Sequence, residues 1–163
     1  HASTFAIMAL FRMGLAREAW DQIFRILPFT HRKVSCSPYV MPNSYGCNEE
    51  LNIDGESMND WQTGSSNVLF KIFMRFVFGI EPEHDCLIIQ PANWFPFEEL
   101  RVDIKIRSCL LRLRYKNTGT GNRKFYINGR LFKGEYNKHI KTEYIKIPWN
   151  QLDMHTCDIL AED

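Results

Sequence analysis

The sequence contains no apolar run of the roughly 18 residues needed to cross a bilayer. The longest candidate is interrupted by Lys71 and Arg75, so the chain reads as soluble. Neither sign of charge dominates: 20 Lys and Arg stand against 19 Asp and Glu, a formal charge of +1. Such a balance gives no electrostatic reason to expect a nucleic acid or a membrane as partner. Paired CxxC spacings are also missing. The 5 cysteines (Cys36, Cys47, Cys86, Cys109, Cys157) are odd in number and widely spaced, which fits reduced thiols in the cytoplasm better than a disulfide framework. The start has neither the basic residues nor the small-residue cleavage site of a signal peptide. Instead His1 leads at once into the apolar stretch Phe5-Ala6-Ile7-Met8-Ala9-Leu10-Phe11. A helix that is apolar nearly all round needs neighbours on several sides, so the expectation is a fragment whose partners lie upstream.

What is present suffices for a core. With 45% apolar and 13% aromatic residues, 163 residues correspond to one large domain or two small ones. Helical punctuation marks Thr4 to about Met13, stopped by Gly14, and Ala16 to Leu27, stopped by Pro28. In the second of these, Ala16, Ala19, Trp20, Ile23, Phe24 and Leu27 recur at three and four, with Arg17, Asp21 and Arg25 on the other face. The pair is expected to run antiparallel. Residues 28–59 follow without a sustained period, long enough to be a functional loop, and the interleaved Tyr39, Met41, Tyr45 and Ile53 favour an ordered one. A third helix is predicted from about Gly64 to Phe78, with Val68, Leu69, Ile72, Phe73, Phe76 and Val77 on one stripe and Gly79 after it.

Beyond Pro82 the period falls to two. Leu100, Val102, Ile104 and Ile106 alternate with Arg101, Asp103, Lys105 and Arg107, and Leu111, Leu113 and Tyr115 alternate with Arg112 and Arg114. Asn128-Gly129 between two apolar runs is a strong hairpin signal. With Leu87–Ile89 and Tyr144–Ile147, this half reads as an antiparallel sheet, expected to form a sandwich. The boundary falls near residue 84, giving domains 1–84 and 85–163.

Ser57-Met58-Asn59-Asp60-Trp61-Gln62-Thr63-Gly64-Ser65-Ser66 gathers hydroxyls, amides and a glycine at the start of the third helix. Free N–H groups and the positive end of the helix dipole suit an anion there. Gly64 would let it approach the backbone, and Thr63 or Ser65 could add a hydroxyl donor. The same residue types also serve as ordinary helix caps, and the pattern alone leaves both readings open.

Asp60-Trp61-Gln62-Thr63-Gly64-Ser65-Ser66, followed by Phe78-Gly79-Ile80-Glu81-Pro82 and Asp85-Cys86-Leu87-Ile88-Ile89-Gln90-Pro91, resembles the C-terminal region of the cellobiose phosphorylase family, glycoside hydrolase family 94. The shared features are a Trp-x-Thr-Gly motif, a helix, a Gly-Ile-x-Pro turn and an Asp-Gly-Leu-x-Ile-x-Pro strand. Ser37-Pro38-Tyr39-Val40 resembles the family's Pro-Tyr-Val, and His1 its histidine at the start of a late barrel helix. Met41-Pro42-Asn43-Ser44-Tyr45 and Phe95-Pro96-Phe97 look most like 1,2-β-oligoglucan phosphorylases. The resemblance covers about residues 1–115 well. Cys86 stands where the family prefers glycine, and Ser37 where a glutamate often precedes Pro-Tyr-Val.

The resemblance implies an α-then-β fold, the final helices of an (α/α)6 barrel followed by a C-terminal antiparallel β-sandwich. It implies phosphate binding by His1, Thr63 and Gly64, with Ser65 included. The implied chemistry is inverting phosphorolysis of a β-glucoside or β-glucan to a sugar 1-phosphate. Inorganic phosphate is then co-substrate, with no metal or other cofactor, and a homodimer is compatible. Phosphate arrives already nucleophilic, so one acid suffices where inverting hydrolysis needs two carboxylates. In the family that acid is an aspartate upstream, so the chain alone would be inactive. Alternatives are the terminal region of a cyclic β-1,2-glucan synthase, a hydrolase, or a non-catalytic carbohydrate-binding or structural module.

Other clusters have plainer readings. Glu49, Glu50, Asp54 and Glu56 read as solvated charges. His31, Cys36 and Cys47 have no zinc spacing. Gly119-Thr120-Gly121-Asn122 reads as a turn, because no helix follows it. Arg101, Lys105, Arg107, Arg112 and Arg114 read as one solvated face. Trp94, Phe95 and Phe97 read as packing between the domains rather than as sugar platforms.

Overall fold

The 3.6-residue spacing near the start is realised as two helices, α1 (Ala2–Arg12) and α2 (Ala16–Ile26). The computed structural model describes residues 1–31, 39–117, 122–152 and 155–162. α1 ends in a Schellman motif: Leu15 N–H donates to Leu10 O at 2.9 Å and Gly14 N–H to Phe11 O at 3.0 Å. Gly14 takes φ +68°, the left-handed conformation that this cap requires. α2 ends before Pro28, where Leu27 is extended. Its Ala19, Trp20 and Ile23 are buried, while Arg25 pairs with Asp21 on the solvent face at 2.9 Å.

The third helix begins as expected but changes its winding. α3 (Ser65–Ile72) is regular, and Phe73–Val77 form a π-helical turn closed by Phe78 N–H to Phe73 O at 2.8 Å. The wider turn sets Phe73 edge-on to Trp20 (5.8 Å between centroids) and stacks Phe76 on Phe11 (6.2 Å). Bulky rings in successive turns thus reach both α1 and α2. Gly79 then turns the chain into the sheet with φ +65°. A Cβ there would stand 1.9 Å from the Gln90 carbonyl, so the close approach of these two backbones excludes any side chain.

Within the long polar segment, β1 (Ser44–Tyr45) pairs with β2 (Ser57–Met58). One larger sheet has the order β3 (Ile80–Pro82), β4 (Cys86–Ile89), β10 (Thr142–Pro148), β9 (Glu135–Asn137) and is antiparallel. The other runs β5 (Glu99–Ile106), β6 (Cys109–Lys116), β11 (Thr156–Glu162), β7 (Lys124–Ile127), β8 (Arg130–Phe132). The expectation of a purely antiparallel arrangement is corrected here, since β11 lies parallel to β6. The chain leaves β10 in one sheet and enters the other between β6 and β7, and alternation marks a strand without giving its direction. Asn128 (φ 49°) and Gly129 (φ 77°) form the β7–β8 turn, with Ile127 opposite Arg130, as the Asn-Gly signal predicts.

The two sheets bury their inner faces in one core, with Leu87, Ile89, Ile145 and Ile147 from the first and Leu111, Leu113, Phe125 and Ile159 from the second. That core continues into Ile7, Phe11, Trp20, Ile23 and Ile72 of the helices. Tyr115, fully buried in β6, donates its hydroxyl to Phe78 O at 2.6 Å, and burial pushes its phenol pKa up. Phe95 is buried, Arg17 lies 4.5 Å over Trp94, and Trp20 meets Phe97 edge-on at 5.6 Å. Trp94 and Phe95 therefore pack between the helices and the sheets, whereas Phe97 touches Trp20 but stays 46% exposed. The layout is α then β. Among the described residues there are three α-helices, and they do not by themselves make a barrel.

Candidate functional site

The polar run before α3 folds into a tight bend. Asn59 (φ 54°) and Trp61 (φ 69°) both take left-handed backbone, and Gln62 N–H donates to Asn59 O at 3.2 Å. The buried Ser57 hydroxyl donates to Asp60 Oδ2 at 2.9 Å. This bend delivers Thr63 to the start of the helix. There the Thr63 hydroxyl oxygen accepts from Ser65 N–H at 3.0 Å and stands 2.7 Å from Ser65 Oγ. Gly64 is the N-cap, without a side-chain hydrogen bond, and its carbonyl accepts from Val68 N–H at 3.0 Å. Thr63 satisfies only the Ser65 amide, leaving the helix end without a conventional side-chain cap.

His1 comes to the same place from the other end of the sequence. Its Nδ1 lies 3.4 Å from Ser65 Oγ, 64 residues away along the chain. Its Cε1 would stand 2.9 Å from a Cβ on Gly64, so the imidazole uses the space that glycine leaves open. His1 is held by its amino group donating to Asn43 O at 2.7 Å, by Thr4 Oγ1 donating to His1 O at 2.6 Å, and by an edge contact with Phe5. His1, Thr63, Gly64 and Ser65 are therefore brought together. The arrangement offers two hydroxyls, an imidazole and the amide end of a helix, a set of donors suited to a small oxyanion.

Beside it a cleft of about 700 Å³ is lined by Thr63, Tyr39, Met41, Trp61, Phe70 and Phe73. Tyr39 is 88% exposed and Trp61 76% exposed, which leaves their rings available. Tyr39 and Trp61 belong to the motifs above, and the fold brings both to the site. The signal for Trp61 is a large apolar residue next to polar ones at a helix start, while Tyr39, far from any helix start, has none. In β1, Tyr45 stacks on His31 at 3.8 Å and donates to Ile26 O at 3.0 Å. Burial, with the nearby Asp60 charge, pushes the Tyr45 phenol up to about 12.

The remaining sequence candidates stay apart from this site. Glu49, Glu50, Asp54 and Glu56 are exposed. His31 Nε2 is engaged with Arg25 O at 2.7 Å, and Cys47 is exposed. Arg101, Lys105, Arg107, Arg112 and Arg114 are exposed, with Arg101 paired to Glu99 at 2.8 Å. Cys36, Ser37, Pro38 and Gly119-Thr120-Gly121 lie outside the described residues.

No protein-family model matches the chain. Among curated proteins it is similar to solabiose phosphorylase of Paenibacillus borealis, 29% identical over 144 residues, which cover 83% of this chain and 18% of that protein. The similarity supports a relationship to phosphorylases. The chain spans about a fifth of the length of this relative. No helix among the described residues is long and apolar enough to cross a membrane.

Proposed function

We propose that this chain is the C-terminal part of an inverting glycoside phosphorylase, and that His1, Thr63, Gly64 and Ser65 hold its inorganic phosphate. The observation that carries this reading is the meeting of His1 and Ser65 across 64 residues at the start of α3. Hydroxyls, imidazole and helix amides converge there. The partial similarity to a phosphorylase supports the same reading.

In the complete enzyme the glucosyl ring lies in the neighbouring cleft against Tyr39 and Trp61, whose faces suit the apolar side of a sugar. Phosphate, held by the donor set, attacks the anomeric carbon from the side opposite the glycosidic bond. The bond breaks, its oxygen leaves with a proton from an aspartate upstream of this chain, and sugar 1-phosphate is released with inversion. The work of this site is to bind and aim the anion, because phosphate needs no base to activate it. No cofactor beyond phosphate enters the scheme. On this reading residues 1–84 belong to the closing helices of an (α/α)6 barrel, residues 85–163 form the supporting β domain, and the enzyme works in the cytoplasm.

The test is sugar 1-phosphate release by the complete enzyme with and without inorganic phosphate. Thr63→Val should raise the KM for phosphate at least about tenfold, the loss expected for one hydroxyl donor to an anion, with little change for the glucoside. Sugar release that is independent of phosphate would overturn the assignment in favour of a hydrolase or a glucan synthase.

A further inference from the structure

α1 and the α3–π helix both begin at the candidate phosphate site, and both end at a second cavity. It has a volume of about 490 Å³ and opens between the helices and the four-stranded sheet. The last turn of α1 contributes Arg12, the π turn contributes Arg75 and Phe76, β10 contributes Tyr144 and Lys146, and the β9–β10 connection contributes His139. The 11 residues of α1 carry the chain from His1 to Arg12, about 16 Å at roughly 1.5 Å per residue. The two sites are thus distinct.

The charges in this cavity do not cancel. Its one lining carboxylate among the described residues, Glu81, is taken by Arg75. Among the described residues Arg12 and Lys146 have no ion-pair partner. Each lies instead against a ring: Arg12 is 5.7 Å from the Phe76 centroid and Lys146 is 5.8 Å from that of Tyr144. The Tyr144 hydroxyl donates to Glu135, which does not line the cavity. Cations held on aromatic faces keep their charge while losing freedom of orientation. Two such cations facing one space suit a dianion, and a phosphate monoester carries nearly two negative charges at neutral pH.

Size and wall chemistry narrow the ligand further. The volume lies within the range of small-molecule sites, larger than a free anion needs. Gln90 adds an amide group to the lining, a partner for hydroxyls, Asn93 is held there by its Nδ2 donating to Gly14 O at 3.0 Å, and Phe76 adds apolar ring surface. Irregular π turns recur at functional sites, and this one supplies two of the walls. We propose that the cavity binds a phosphorylated sugar, at a site separate from the one at Thr63. The proposal rests on this geometry alone and stands or falls independently of the phosphorylase reading.

The experiment is calorimetric titration of the full chain with glucose 6-phosphate, and with glucose as the uncharged control. Saturable binding of glucose 6-phosphate is expected, weakening as salt is raised, with none for glucose. The double variant Arg12→Gln/Lys146→Gln should weaken it at least about tenfold, the scale of losing charge-assisted contacts, with an unchanged circular dichroism spectrum. Lys146→Gln alone, at an exposed strand position, should give a several-fold loss and serves if the double variant folds poorly. Thr63→Val should leave this binding unchanged. Absence of saturation, equal binding of glucose, indifference to both Lys146 variants, or loss of binding in Thr63→Val would each overturn the proposal.

Discussion

The helices and the sheets cover their apolar residues to different degrees. Phe5, Met13, Phe24, Phe29 and Phe70 of the helical region are exposed, Phe29 by 59% and Phe70 by 66%. The sheets leave out few large apolar residues among those described, chiefly Phe97, Leu131 and Tyr136. A sheet has two faces, and here each sheet turns one face to the other, while the opposite face is charged and exposed in the five-stranded sheet and lines the second cavity in the four-stranded one. A helix that is apolar nearly all round has no polar side to offer, and α1 finds neighbours only on part of its circumference. Shape is therefore specified most firmly in the β half. Binding chemistry gathers in the other half, where side chains and helix ends remain available.

The junction between the two regions should be the most sensitive point. Gly79→Ala forces a Cβ into the Gln90 carbonyl at a left-handed position. It should cost about 4 kcal/mol or more, or leave no folded protein, as read by urea denaturation. A small effect would mean that helices and sheets do not meet as described. Next in size is the contrast between two truncations. Leu113→Ala, at a position 1% exposed, should cost about 3 kcal/mol, whereas Phe70→Ala should change stability by no more than about 0.5 kcal/mol in this chain. Equal costs would erase the difference between the regions.

Tyr115→Phe probes the link more gently. It leaves the Phe78 carbonyl without its hydroxyl donor, a loss of about 1–2 kcal/mol. The smallest effect concerns alkaline pH. Burial raises Cys157, in the sheet, from 9.0 to about 11 and Tyr45, in the helical region, from 10.0 to about 12. Both groups hold their protons more tightly when folded, so their contribution is complete below the unfolded values and is lost as pH rises through the folded ones. Stability should decline first between pH 9 and 11 through Cys157. Tyr45→Phe should flatten only the later part of the decline, between pH 10 and 12. A Tyr45→Phe decline flattened from pH 9 onward, or not at all, would show that Tyr45 does not report on its own region.

Much of the layout is legible without coordinates, because it depends on local order. The spacing of Ala16, Ala19, Trp20 and Ile23 predicts α2, Gly14 predicts the end of α1, and Asn128-Gly129 predicts the β7–β8 turn. β11 is only faintly marked although Cys157, Ile159 and Ala161 alternate with Asp158, since small and polar residues weaken the apolar signal. Its parallel pairing with β6 could not be read at all. Thr63 and Gly64 stand out as a polar start to an apolar helix. Their cleft partners Tyr39 and Phe70 carry no comparable mark, because each is an ordinary aromatic until it is seen beside Thr63.

By itself the sequence determined the order of helices and strands, the turns set by glycine and proline, and a helix start chemically suited to an anion. These follow from backbone preferences and periodicities that act over a few residues. Only the tertiary structure decided that the Thr63 hydroxyl serves the Ser65 amide while the helix end stays uncapped, and that His1 fills the space Gly64 leaves. It alone gathered Arg12, Lys146 and the π turn around a second cavity. Those arrangements depend on contacts between residues far apart in the chain, and local periodicity carries no information about which distant neighbour a side chain will meet.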